Sequence, residues 1–88
     1  MKLHTPIEIR EWLKERGEGS PYDFYKYYRQ YHPSISYTYI AQLFYYLRKL
    51  GLIEKVREEP SSRSPIPKSI YRIVKEDDER WHNPQKYV

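Results

Sequence analysis

The residues Ser36-Tyr37-Thr38-Tyr39-Ile40-Ala41-Gln42-Leu43-Phe44-Tyr45-Tyr46-Leu47-Arg48-Lys49-Leu50-Gly51-Leu52-Ile53 carry the strongest amphipathic signal in the chain. At ~100° per residue, Ile40, Leu43, Phe44, Leu47 and Leu50 form one apolar stripe, with Tyr37 on its border. Thr38, Gln42, Tyr45 and Lys49 cluster on the opposite face, within about 30° of a common direction. Ala41 and Arg48 flank one side, Tyr39 and Tyr46 the other. Ser34 and Ser36 are both competent caps, and Gly51 supplies the stop. Such a helix buries its stripe against neighbours and leaves the outer face to solvent or a partner.

On the N-terminal side, Thr5-Pro6-Ile7-Glu8 reads as a capping box with proline at N1. Ile9, Trp12 and Leu13 follow at helical spacing, so a first helix is predicted over 6–16. Ser20-Pro21-Tyr22-Asp23 repeats the start signal and predicts a second helix over 21–31, burying Phe24, Tyr25 and Tyr28. Pro33 disfavours helical geometry at His32 and closes it. Downstream, 52–57 and 69–74 read as strands. The intervening 58–68, with Pro60, Pro65 and Pro67, reads as an extended loop without ladder bonds. Residues 76–88 form a polar tail whose Trp81 has three options: docking on the body, on a second subunit, or on nothing.

The chain has 88 residues, enough for one small domain. The absence of cysteine excludes disulfides, thiolate zinc sites and cysteine nucleophiles. No apolar run approaches the ~20 residues of a membrane span, and no leader-like segment opens the chain, so a cytoplasmic protein without membrane association is expected. The net charge is +4, and its placement is more informative than its size. Residues 24–53 contain Lys26, Arg29, Arg48 and Lys49 and no acid; residues 60–75 contain Arg63, Lys68, Arg72 and Lys75 and no acid. A polyanion-binding surface needs such acid-free blocks, because a misplaced carboxylate opposes a phosphate contact.

The order helix, helix, amphipathic helix, strand, basic loop, strand, with the ending Tyr46-Leu47-Arg48-Lys49-Leu50-Gly51-Leu52-Ile53, resembles winged helix-turn-helix DNA-binding domains. The resemblance covers about residues 6–74 and implies an α+β fold of three helices followed by a two-stranded β-hairpin wing, with a domain over 1–75 and the tail over 76–88. It further implies a sequence-specific double-stranded DNA-binding protein, a transcriptional regulator, with the third helix in the major groove. On that helix Ser36, Thr38, Tyr39, Gln42, Tyr45, Arg48 and Lys49 are the candidate contacts, Gln42 toward an adenine edge and Lys49 toward phosphate. Arg63 and Lys68 are the candidates on the wing, and Lys26 and Arg29 on the second helix. A homodimer on two half-sites is one expected assembly, with Trp12 of the first helix, Trp81 of the tail, or Tyr39 and Tyr46 as its surface.

Each of these residues also has a plainer use. Arg48 and Lys49 offset a helix dipole, Lys26 and Arg29 solvate a helix end, and Arg72 pairs with Glu54. Nine of the eleven tyrosines lie between Tyr22 and Tyr46; Tyr25, Tyr28, Tyr37 and Tyr71 are expected as core or semi-core rings, and Tyr39, Tyr45 and Tyr46 at the surface. That aromatic density keeps two other partners open, a protein bound through the tyrosine-rich face or single-stranded RNA stacked on it. Catalysis is not expected: His4, His32 and His82 are scattered, no glycine-rich phosphate loop exists, and the serines near 61–64 lack a local base. No cofactor, metal or small-molecule effector is implied.

Overall fold

Ser20 and Ser36 start helices as their sequence context predicts. Ser20 Oγ accepts from the Asp23 amide at 3.1 Å and donates to its carboxylate at 2.9 Å, while Ser36 Oγ accepts from the Tyr39 amide at 3.2 Å. The computed structural model describes residues 5–61 and 64–88. Its elements are α1 (Thr5–Arg16), α2 (Pro21–Tyr28), α3 (Tyr37–Lys49), β1 (Ile53–Ser61) and β2 (Ser64–Ile73), followed by 3-10 turns at Glu79–His82 and Pro84–Tyr87. Three helices followed by an antiparallel hairpin make an α+β chain compatible with a winged-helix layout.

Gly51 ends α3 at φ +78°, a conformation that side chains with a Cβ rarely adopt. There the Leu52 amide donates to the Leu47 carbonyl and the Gly51 amide to Arg48, both at 3.0 Å, closing the last turn as a Schellman motif. Gly19 has a different duty. It exchanges two backbone bonds with Tyr71, at 3.0 and 2.9 Å, tying the α1–α2 connection to β2. A Cβ there would lie 2.4 Å from the Trp12 ring.

The core is an aromatic chain running through all the layers. Trp12 meets Phe24 edge-on at 5.3 Å, Phe24 stacks on Tyr28 at 5.0 Å and reaches Phe44 at 6.2 Å, and Phe44 meets Tyr71 at 5.8 Å. Ile9, Leu13, Ile40, Leu43, Leu47, Leu52 and Ile53 fill around it. Trp81 is wholly buried in the same cluster, its Nε1 donating to the Lys75 carbonyl at 2.7 Å. Of the three options for this indole, docking on the body is the one realised. Trp12 and Trp81 are therefore core residues and offer no dimer surface, which corrects that expectation.

Four further expectations differ. Thr5 lies inside α1, fully buried, and its Oγ1 meets Tyr28 Oη at 3.3 Å instead of capping the Glu8 amide. The second helix ends at Tyr28 rather than 31, because the constraint Pro33 sets at His32 converts the last turn to shorter bonds, Gln30 to Tyr27 and Tyr31 to Tyr28. The loop 58–68 is largely paired: Glu58 faces Ser69, Glu59 faces Lys68 and Ser61 faces Ser64. Prolines are tolerated because both strands of a two-stranded ladder are edges, and the register slips between Glu59 and Ser61, at Pro60. Tyr37, expected in or near the core, is 44% exposed; the core closes over Ile40 and Phe44 without it. No described helix is long and apolar enough to cross a membrane.

Candidate nucleic-acid interface

Burial of its apolar stripe sets the rotation of α3. With Ile40, Leu43, Phe44 and Leu47 turned inward, Thr38, Gln42, Tyr45, Arg48 and Lys49 are exposed together, as the helical spacing predicts. The turn at Pro84–Tyr87 also packs on α3 but leaves this stripe open. Ser36, at the helix start, is exposed too, with Oγ engaged as a cap. Tyr39 is half-buried against the core. Gln42 is already oriented: its Nε2 donates to Tyr46 Oη at 2.7 Å, so its amide is held by a neighbour one turn on.

The cations divide into two groups. On the hairpin they are mostly neutralised. Arg72 pairs with Glu54 at 2.5 Å; Arg57 pairs with Glu18 at 2.5 Å and Glu59 at 2.7 Å; Lys55 pairs with Glu58. The hydrogen bond between Arg57 and Glu18 raises the guanidinium's pKa and lowers that of the carboxyl. On α2 and α3, Lys26, Arg29, Arg48 and Lys49 have no carboxylate within ion-pair reach among the described residues. Three of them lie against tyrosine rings instead: Lys26 is 5.7 Å from Tyr22, Arg29 5.6 Å from Tyr25 and Lys49 5.9 Å from Tyr45. A cation over a ring keeps its full charge for an anion.

Lys26, Tyr45, Arg48 and Lys68 come together along one groove of ≈ 830 Å³ between α2, α3 and the hairpin. Lys68 shares it with a carboxylate whose sequence context marks only the start of α2: Lys68 Nζ lies 3.4 Å from both Asp23 oxygens. Asp23 sits one position before the first acid-free block, and nothing in the linear order places it beside a residue 45 positions away. Tyr22 and Tyr37, which also line the groove, were not among the expected site residues. Arg63, the expected centre of the wing, lies outside the described residues.

A second groove, of ≈ 580 Å³, has the opposite character. Glu8, Glu11 and Glu15 line it with Arg16, Tyr27, Tyr31 and His32, and its three carboxylates against one guanidinium disfavour phosphate. Tyr28 closes its base, and burial together with the neighbouring Glu8 pushes the Tyr28 hydroxyl up to about 12. Among the described residues no cluster of histidine and carboxylate side chains is arranged to hold a metal ion. Compared with protein-family models, curated proteins and solved structures, the chain matches none.

Proposed function

We propose that the chain is a winged-helix protein that binds duplex DNA sequence-specifically and acts as a transcriptional regulator. In this reading α3 enters the major groove, Gln42 reads a base edge, and Thr38 and Tyr45 contact the flanking backbone or a thymine methyl. Lys26, Arg29, Arg48 and Lys49 take phosphates, and the hairpin lies along the adjacent backbone or minor groove. The observation that carries the reading is the unneutralised state of these four cations beside an exposed polar stripe, while the acids of α1 line a separate groove. Selection of bound sequences from a random duplex pool, with sedimentation for stoichiometry, tests it. A defined site should emerge, and Gln42→Ala should relax preference at one base pair by about 1–3 kcal/mol.

A protein-interaction role has one observation in its favour: Tyr27 and Tyr31 are 45% and 66% exposed on the acidic groove. A partner there would leave DNA affinity unaltered by Tyr31→Ala and would bind without a duplex present.

A further inference from the structure

Resting on the duplex-binding reading, we infer that the groove between α2, α3 and the hairpin seats one unpaired nucleobase adjoining the duplex. A regular backbone needs only charges along its path, and a recess lined by four tyrosines, three of them with exposed rings, is superfluous to it. At ≈ 830 Å³ the groove is in the range of small-molecule sites, about 300–1,000 Å³, so a base has room to enter. Tyr22, Tyr37 and Tyr45 are 38%, 44% and 56% exposed, leaving ring surface available. Tyr22 and Tyr37 brace one another edge-to-face at 6.0 Å and 68°, so stacking a base on them orders little that is not already ordered. Lys26 and Arg48, which also line the groove, suit the phosphates on either side of an extruded nucleotide.

The Asp23–Lys68 pair makes the occupant specific in kind. A carboxylate acceptor and an ammonium donor lie side by side, 3.4 Å apart. A nucleobase edge offers the matching donor and acceptor on one rigid plane, whereas an apolar side chain would desolvate this long ion pair without adding a hydrogen bond to it. The same residues bring the base next to the α3 stripe, since Tyr45 belongs to both.

The test compares two duplexes of one selected sequence, one fully paired and one with a single bulged 2-aminopurine, bound to the full chain. The bulged duplex should bind about five-fold or more tighter, with the probe's fluorescence falling on binding as it stacks. Tyr22→Ala should abolish both the preference and the quench; Tyr22→Phe should retain both. Equal affinity for the two duplexes, or fluorescence that does not change on binding to the unsubstituted chain, overturns the inference and leaves duplex binding standing. Binding to neither duplex overturns the duplex reading itself. The fluorescence result on the unsubstituted chain does not depend on how any variant folds.

Discussion

Asp23→Asn should strengthen binding to a fully paired duplex while weakening the fold. Asp23 lies 3.4 Å from Lys68 Nζ, and a phosphate accepting from that ammonium would sit about 3 Å beyond it. Carboxylate and phosphate are then about 6 Å apart. Their repulsion is about 0.7 kcal/mol at bulk-water dielectric and about 2.8 at an effective value near 20. Salt at about 0.15 M, with a screening length of about 8 Å, halves this to about 0.4–1.4 kcal/mol. The substitution should therefore raise affinity about two- to ten-fold. It should also steepen the dependence of log K on log salt by about 0.9, as Lys68 becomes a full phosphate contact. The fold should lose the partly exposed ion pair, about 0.2–1 kcal/mol, and the carboxylate in the first turn of α2, about 0.3–1 kcal/mol. Asparagine keeps an oxygen to accept from Ser20 Oγ, so the cap survives. Fluorescence anisotropy at several salt concentrations and urea denaturation measure the two effects separately. An affinity that falls or stays level in Asp23→Asn, with the slope unchanged, would refute the placement of Lys68 at the DNA backbone.

Gly19→Ala should destabilise the chain by about 1–3 kcal/mol in urea, since the new methyl must displace the Trp12 ring or break the bridge to Tyr71. Trp81→Ala should cost about 3–5 kcal/mol, and thermal unfolding monitored by circular dichroism should show it as a large drop in Tm; a tail lying free on the surface would show almost none. Tyr28 keeps its proton up to about pH 12 in the folded chain against 10.0 when exposed, so the folded state binds more protons in that interval. Its contribution is complete below pH 10 and is lost as pH rises through about 12; Tyr28→Phe should flatten the stability profile there, measured by denaturant midpoint against pH.

Local signals in the sequence carried a good deal. The caps at Ser20 and Ser36, the stop at Gly51 and the period of Ile40, Leu43, Phe44 and Leu47 are properties of neighbouring residues, and each stands in the structure as expected. The outward stripe of α3 follows from the same period. What was not legible depends on distant partners. The bond from Thr5 to Tyr28 spans 23 positions and displaces a good capping box. Lys68 and Asp23 meet across 45 positions, turning a seemingly acid-free wing into a paired one. The prolines of 58–68 argued against a ladder, yet an edge register with a slip accommodates them. The polar composition of 76–88 hid that its single indole completes the core.

The most direct measurement is the affinity of the full chain for a selected duplex between 50 and 200 mM salt. With Lys26, Arg29, Arg48 and Lys49 each displacing one counterion, log K should fall against log salt with a slope near −3.6, about a hundred-fold over that interval. A flat dependence, or no detectable complex even at 50 mM, would contradict nucleic-acid binding by this face of the protein.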